Sequence, residues 1–265
     1  MSNNITIPPS SESKASELVK NSQSESAQDT GKKLISDSKY NKVPFSVTEA
    51  FKNIRIHLIS ELAKINGKTI AISSPNASEG KSTTSINIAI TLSQLNKKVL
   101  IIDTDYRRAT VFKKLKLEND LGLIEVISGK FKWTDAIKKY NSNLDVMTTG
   151  FATSEFSEML ISSDFDLLLT ELSENYDYII LDTPPLNIVS DTSVIAQKCD
   201  ALLLVVRSYI TTYHAFRRSL SSIKQLDINL IGTIINGVDS SHRKNIYNKY
   251  GYGYGYYKNG YHSYY

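Results

Sequence analysis

The fold is decided by residues 68–90, which read KTIAISSPNASEGKSTTSINIAI. The first seven, KTIAISS (68–74), form an apolar run of strand length, and Ile86 and Ile90 mark a helix that starts near Lys81. The loop between them ends in Gly-Lys-Ser-Thr. A strand–loop–helix unit of this kind directs successive backbone N–H groups and a helix N-terminus at a polyphosphate. The stretch therefore predicts a phosphate-binding loop at the end of a buried strand.

The predicted nucleotide contacts of this loop are Ser78, Glu79, Gly80, Lys81, Ser82 and Thr83. Lys81 is expected to bridge the β- and γ-phosphates of ATP, and Ser82 to bind Mg²⁺. The loop departs from the consensus G-x-x-x-x-G-K-[ST] because Pro75 replaces its first Gly, and Ser78 also stands where many such loops carry Gly. A chance GKST in an ordinary loop is the alternative, and the flanking strand and helix argue against it.

Outward from this unit, short apolar runs alternate with helix-like segments. The runs lie at 98–103, 144–149, 176–182, 201–206 and 229–236. Continuous Val/Ile/Leu runs separated by helices are typical of a mostly parallel sheet covered on both faces. The predicted fold class is α/β and P-loop NTPase-like, with ligands at the carboxyl ends of the strands.

Acidic residues follow two of these runs. Asp103 and Asp105 lie in VLIIDTDYRR, and Asp182 follows the strand in YIILDTPP. One such Asp is often a turn former or a helix cap, whereas three beside a phosphate loop indicate a metal–nucleotide site. Ser82, Asp105 and Asp182 are the predicted Mg²⁺ ligands. Asn236, in IINGVD, ends the last strand where a purine base is expected, and a simple polar turn explains it equally well.

Composition limits the possible classes of protein. The 265 residues are 41% apolar with a net charge of +4, so overall charge names no partner. The single Cys199 excludes an intrachain disulfide framework and Cys-rich metal sites. No apolar run reaches the ~20 residues of a membrane span, and no secretory signal begins the chain. A cytoplasmic location is therefore expected.

The two ends differ from the middle of the chain. Residues 1–43 are rich in Ser, Asn, Lys and Glu, and predict a disordered N-terminal arm. The domain is predicted at 44–240 and begins with an amphipathic helix at 47–63. The tail, 241–265, is expected to be mobile because Gly alternates with Tyr. Its tyrosines are Tyr247, Tyr250, Tyr252, Tyr254, Tyr256, Tyr257, Tyr261, Tyr264 and Tyr265.

With GKST, DTDYRR and LDTPP in this order, the chain resembles bacterial protein-tyrosine kinases of the capsule and exopolysaccharide type. The resemblance implies that Lys81, Asp103 and Asp105 are catalytic and that the tail tyrosines are autophosphorylated. Asp103 is the candidate acceptor of the tyrosine proton, although Asp103 and Asp105 could exchange roles. A further implication is a membrane adaptor that activates the kinase and recruits it to the inner face of the cell membrane. Arg107 and Arg108 are expected either to stabilise transition-state charge or to face solvent on the next helix.

The same family carries E-x-x-R-x-x-R on its first helix, where it builds a ring of subunits. Here Glu49 and Arg55 match this motif, and Lys52 replaces the first Arg. Lys keeps the charge but lacks the planar fork of Arg. An exposed charged stripe on an amphipathic helix is the other explanation of these residues. The implied arrangement is a ring in which one tail enters a neighbour's site.

Two other functions remain open from the sequence. An ATP-driven positioning or assembly switch of the partition type would use the same loop and carboxylates without kinase activity. Those ATPases place a Lys at the position of Asn76, and they have no need of clustered tyrosines. A nucleic-acid module could stack bases on the Gly-Tyr tail, but the tail is short and only mildly basic. The tyrosine cluster therefore favours the kinase.

Overall fold

The computed structural model describes residues 34–35 and 43–238. The helices are α1 (Phe45–Ile65), α2 (Lys81–Ser93), α3 (Val111–Leu115), α4 (Leu123–Ile127), α5 (Phe156–Ile161), α6 (Ser163–Asn175), α7 (Asp191–Lys198) and α8 (Tyr213–Gln225), with a 3₁₀ turn at Trp133–Ala136. The strands are β1 (Thr69–Ser73), β2 (Val99–Asp103), β3 (Ile137–Lys139), β4 (Leu144–Met147), β5 (Tyr178–Asp182), β6 (Ala201–Arg207) and β7 (Leu230–Asn236).

The strands form one seven-stranded sheet in the order β3-β4-β2-β5-β1-β6-β7. Every neighbouring pair is parallel except β3 with β4. In register, Asp182 of β5 lies beside Asp103 of β2 on one side and Ile72 of β1 on the other. The predicted mostly parallel α/β sheet is confirmed, and it brings the ends of these three strands together.

Alternate side chains of each strand enter two separate cores, one on each face of the sheet. In β2, Leu100 and Ile102 pack with helices α4 to α8. Val99 and Ile101 of the same strand pack on the opposite face with α1, α2 and α3. Because both faces are covered, the central strands are continuously apolar, which is the pattern the sequence showed.

Two features of the sheet differ from the sequence prediction. The edge strand β3 was not predicted, because its three residues, Ile-Lys-Lys, lack an apolar run; it pairs antiparallel with β4. The run 144–149 gives a shorter strand that ends at Met147. The other edge strand, β7, contains no fully buried residue.

Residues 34–35 are the part of the predicted arm 1–43 that the structure describes, apart from residue 43. Leu34 is buried against α2, and the Asn87 side chain bonds both the N–H and the carbonyl of Ile35, at 2.8 and 2.9 Å. The rest of the arm up to residue 42, and the predicted tail, lie outside the described residues. Within the part of the chain described, no helix is long and apolar enough to cross a membrane.

Candidate active site

The phosphate-binding loop joins the end of β1 to the start of α2, as the sequence predicted. Gly80 has φ +97°, and a Cβ at this position would lie 2.0 Å from Asn236 Nδ2. Ser78 also adopts a left-handed conformation, with φ +65°. Pro75, in contrast, is not among the described residues with positive φ. The loop therefore needs Gly at position 80, bears the strain of a Ser at 78, and accepts Pro at 75.

Lys81 points into a cluster of oxygen atoms at the ends of three strands. Its Nζ lies 3.0 Å from Asp105 Oδ2, 3.6 Å from Asp182 Oδ2 and 3.3 Å from Ser82 Oγ. Burial lowers the pKa of this ammonium, but Asp182 and Asp105 outweigh the effect, so the pKa lies above its usual value. Lys81 is therefore charged at neutral pH.

Asp182 ends β5 and is fully buried. Ser85 Oγ donates to its Oδ1 at 3.0 Å, whereas Oδ2 has no hydrogen-bond partner. Burial raises the pKa of this carboxyl group above its usual range, although Lys81 acts in the opposite direction. An unsatisfied buried oxygen facing a cation is suited to accept a metal ion or a metal-bound water.

Asp103 and Asp105 have different surroundings despite their close spacing. Asp103 is fully buried and accepts bonds of 3.1 Å from the N–H groups of Asp105, Thr110 and Val111. Burial, followed by repulsion from Asp182, raises the pKa of Asp103 to about 8. Asp105 instead lines the pocket described next and contacts Lys81. Asp103 therefore holds the loop that places Asp105.

A pocket of about 510 Å³ opens in front of these groups. It is lined by the phosphate loop, by Asp105 and by residues of the loops that follow β2 and β5, of α3 and of the end of β6: Arg107, Arg108, Thr110, Lys114, Pro184, Pro185, Ile188, Val189 and Arg207. Of the two alternatives for Arg107 and Arg108, the one that places them on the next helix is wrong in position, because both precede α3, although both are exposed. Arg107 pairs with the buried Asp191 at the start of α7, and its guanidinium lies 4.3 Å from the centre of the Tyr106 ring.

Glu79 does not line this pocket. Its buried carboxylate accepts from Thr211 Oγ1 at 2.6 Å and from the Asn76 N–H at 2.9 Å. Asn236 Nδ2 donates to the Glu79 carbonyl at 3.1 Å, and Arg207 Nη1 donates to the Ser78 carbonyl at 3.0 Å. These bonds tie the phosphate loop to β6 and β7. Sequence reasoning missed Thr211 and Arg207, because no local pattern marks a partner about 130 residues away.

The donor set fits Mg²⁺. Ser82, Asp105 and Asp182 surround one point with oxygen atoms, as shown by their shared contact with Lys81 Nζ. Among the described residues no group of three or more His, Cys, Asp or Glu side chains forms a metal cluster. Mg²⁺ commonly binds one or two carboxylates and completes its shell with phosphate oxygens and water. The site is therefore suited to an ion that arrives with a nucleotide.

The predicted oligomerisation residues make contacts within the chain. Lys52 Nζ and Glu49 Oε1 form an ion pair of 2.8 Å on α1. Arg55 Nη1 donates to the Thr91 carbonyl of α2 at 2.8 Å, and its buried Nε has no partner. Arg55 thus joins α1 to α2, while Glu49 and Lys52 are partly exposed. The tail tyrosines and Asp239 lie outside the described residues.

Comparison with known proteins agrees with this geometry. Residues 67–233 match the family described as AAA domain. The chain is 35% identical over 186 residues to the tyrosine-protein kinase CpsD of Streptococcus pneumoniae, covering 69% of this chain and 80% of the relative. It is 34% identical over 193 residues to the tyrosine-protein kinase YwqD of Bacillus subtilis, covering 72% and 81%. The kinase domain of the Escherichia coli tyrosine kinase ETK superposes with a TM-score of 0.72 at 26% identity, over 88% of this chain and 97% of that one. The chain therefore belongs to the family of bacterial tyrosine-protein kinases built on a P-loop AAA domain.

Proposed function

We propose that this kinase transfers the γ-phosphoryl group of ATP to tyrosines of its own C-terminal tail. The acceptors are among Tyr247, Tyr250, Tyr252, Tyr254, Tyr256, Tyr257, Tyr261, Tyr264 and Tyr265. The observation that carries the proposal is the convergence of Lys81, Ser82, Asp105 and Asp182 in front of the phosphate loop. The dense tyrosine cluster, for which a simple ATPase has no use, supports the choice of acceptor.

The phosphate loop and the residues around Lys81 hold the nucleotide. The backbone of 78–83 binds the phosphates, and Lys81 neutralises charge on the β- and γ-phosphates. Ser82, Asp105 and Asp182 hold Mg²⁺ directly or through water. When bound, the ion neutralises the charge that develops on the phosphate oxygens. Asn236 lies at the strand end where the base is expected, although its amide already bonds the Glu79 carbonyl.

In the chemical step the tyrosine oxygen attacks the γ-phosphorus and the bond from that phosphorus to the bridging oxygen of ADP breaks. The phenol proton passes to a carboxylate, because a phenol with a pKa of ~10 is a weak nucleophile until it loses this proton. Asp105 lines the pocket and Asp103 does not, which supports Asp105 as the acceptor; Asp105 then holds the ion through a water and not directly. Asp103 then positions Asp105 through the backbone bonds of the 105–111 loop.

The transfer occurs between subunits of a ring in this proposal. Glu49, Lys52 and Arg55 of α1 are the residues that the family resemblance assigns to the ring. The partial exposure of Glu49 and Lys52 supports a contact with a second copy. Arg55 is already bonded to α2, which supports a role in setting the position of α1 as well.

A membrane adaptor completes the proposal. The family resemblance supports a partner of the polysaccharide co-polymerase type, which activates the kinase at the inner face of the cell membrane. Through it, the phosphorylation state of the tail would regulate capsular or exopolysaccharide synthesis and export. The support for this step is the resemblance to kinases of that type rather than any residue of the described site.

The test is phosphotyrosine formation in the purified protein. Wild type is incubated with Mg–ATP, with and without a candidate adaptor tail, and its tail peptides are analysed by mass spectrometry. Lys81→Ala is the inactive control, and a tail with every Tyr replaced by Phe separates tail sites from others. ATP hydrolysis without phosphotyrosine would favour an assembly-switch ATPase. Equal phosphotyrosine in wild type and Lys81→Ala would also rule out the proposal.

A further inference from the structure

A second groove lies away from the nucleotide pocket, between α6 and the segment 126–134. Its volume is about 700 Å³, against about 510 Å³ for the nucleotide pocket, and the two share no lining residue. Phe131 and Leu167 line the groove and are 49% and 66% exposed, beside Trp133. Exposed apolar side chains gathered in a groove mark a binding surface. We call this surface the α6 groove.

The charged groups that line the α6 groove are two carboxylates and one ammonium, among neutral polar side chains. Asp164 and Glu171 of α6 line it, and Lys132 lies on the other wall. Trp133 Nε1 donates to Glu171 Oε1 at 2.8 Å, so a carboxylate and an indole already meet there. The whole of α6, SDFDLLLTELSEN, contains four acidic residues and no basic one. The groove thus offers apolar surface together with hydrogen-bond acceptors for hydroxyl groups and cations.

The C-terminal segment 239–265 has the complementary chemistry. It carries nine tyrosines and the basic residues Arg243, Lys244, Lys249 and Lys258, with no acidic residue after Asp239. The described chain ends at residue 238. Twenty-seven further residues span up to ~90 Å when extended, several times the ~16 Å radius of gyration of a domain this size. The segment is long enough to reach this groove on its own subunit or on a neighbour.

We propose that the α6 groove docks the unphosphorylated C-terminal segment 239–265. Tyrosine rings pack on Phe131 and Leu167, phenol hydroxyls donate to Asp164 or Glu171, and the basic residues face the acidic helix. Phosphorylation adds about −1.5 to −2 charge per tyrosine and places phosphate beside carboxylates, so the modified segment leaves the groove. The inference rests on the proposed autophosphorylation. If that holds, the groove binds the unphosphorylated segment, which is the substrate, and releases the phosphorylated segment, which is the product.

The docking assay contains no ATP, so its result does not depend on kinase activity. A failure of docking can therefore be distinguished from a failure of the proposed autophosphorylation. The receptor is the full-length chain with Arg243→Glu, Lys244→Glu, Lys249→Glu and Lys258→Glu, whose own tail no longer competes. A fluorescein-labelled peptide of residues 240–265 is titrated with this receptor by anisotropy. The same peptide phosphorylated at Tyr252, Tyr254 and Tyr256 is compared. Trp133 is the chain's single Trp, so its emission reports occupancy of the groove independently.

Leu167→Asp and Glu171→Lys test the groove, with Ile161→Asp and Glu118→Lys as controls. Ile161 is 64% exposed and Glu118 is exposed, and neither lines the groove. We expect each groove variant and the phosphorylated peptide to weaken binding by about tenfold or more, and the controls to bind as before. Thermal melting checks that each variant is folded. The proposal is overturned by undetectable binding, by groove variants that match the controls, by a phosphopeptide that binds equally well, or by Trp133 emission that does not respond to the peptide.

Discussion

Lys81 Nζ lies 3.0 Å from Asp105 Oδ2, among the oxygen atoms assigned to Mg²⁺. It also contacts Asp182 Oδ2 at 3.6 Å and Ser82 Oγ at 3.3 Å. An ammonium and a divalent cation repel each other at such distances in a site with little water. In the proposed mechanism, Lys81 therefore contacts the phosphates, and not these oxygen atoms, when Mg²⁺ and the nucleotide are bound.

Lys81→Met should let a divalent cation bind without nucleotide. Met is similar to Lys in length but carries no positive charge. The carboxylates of Asp105 and Asp182 and the Ser82 hydroxyl are then free to bind a metal ion. We expect Mn²⁺ to bind the variant about tenfold or more tighter than wild type, because an opposing charge has been removed. Electron paramagnetic resonance of free Mn²⁺ measures this. Adding Asp105→Asn should abolish the gain; equal Mn²⁺ affinity in wild type and Lys81→Met would show that the ammonium does not block the ion.

Gly80→Ala should abolish tight nucleotide binding. The added Cβ would meet Asn236 Nδ2 at 2.0 Å, and φ +97° is strained for any L side chain. The Asn236 amide must then leave the Glu79 carbonyl, and the strain at position 80 shifts the backbone whose N–H groups face the phosphates. We expect Mg–ADP affinity to fall by more than about tenfold, since a displaced phosphate loop loses several hydrogen bonds to the phosphates. Isothermal titration calorimetry is the measurement.

Gly129→Ala provides the matched control for this change. Gly129 also has positive φ, +72°, but no atom lies within 4 Å of the Cβ that Ala would add. The substitution should cost about 1–2 kcal/mol of folding stability from backbone strain and leave Mg–ADP affinity unchanged. If both variants bind Mg–ADP alike, the contact between Gly80 and Asn236 does not shape the loop.

Much of this site was visible in the sequence because it depends on local patterns. The loop from Ser78 to Ser82 and the strand-end acids Asp105 and Asp182 are each marked by neighbours within a few residues. A parallel sheet then brings strand ends to one edge without further information. The register that sets Asp103 beside Asp182 follows from that topology.

What the sequence did not reveal depends on long-range contacts. The burial of Glu79 by Thr211, and the different surroundings of Asp103 and Asp105, follow from how loops pack after folding. Strand β3 owes its existence to the free edge of β4 rather than to its own composition. Secondary-structure propensity and residue spacing do not predict such contacts, since neither residue of a pair belongs to a recognisable motif in its own segment.

Thr211→Val should weaken the attachment of the phosphate loop to β6. Thr211 Oγ1 donates to the buried Glu79 carboxylate at 2.6 Å and accepts from the Arg207 N–H at 2.7 Å. Val keeps the shape but removes one partner of the buried Glu79 carboxylate, at a cost of about 1–3 kcal/mol, and also removes the acceptor of the exposed Arg207 N–H. Denaturant unfolding measures the stability and calorimetry the Mg–ADP affinity, and both should fall. Thr211→Ser should restore both; a Ser variant as impaired as Val would contradict a role for the hydroxyl.

Arg55 and Lys52 should respond differently to substitution by Ala. Arg55→Ala removes a hydrogen bond to the Thr91 carbonyl and the packing of a half-buried side chain. The free energy of unfolding should therefore fall by about 1–2 kcal/mol. Lys52→Ala breaks only a partly exposed pair with Glu49, which contributes about 0.5 kcal/mol or less. Denaturant unfolding separates the two.

The proposed contribution of Lys52 to a ring of subunits is tested by Lys52→Arg. A planar fork binds a carboxylate with two parallel bonds, so Arg should strengthen a contact between subunits while the free energy of unfolding of the monomer stays nearly constant. Light scattering over a concentration series gives the mass in solution. A mass that is the same for Lys52→Arg, Lys52→Ala and wild type would remove this position from the ring.

Phosphorylation of the tail should weaken the oligomer. The segment 241–265 carries Arg243, Lys244, Lys249 and Lys258 and no acidic residue. Three phosphotyrosines add about −4.5 to −6 charge, which reverses its sign and makes neighbouring tails repel one another. We expect a lower mass in solution after incubation with Mg–ATP, and a weaker effect at high salt, because the repulsion is screened. Light scattering compares this protein with a variant in which every tail Tyr is Phe, treated in the same way. If the two keep the same mass while mass spectrometry shows a phosphorylated wild-type tail, charge in the tail does not govern assembly.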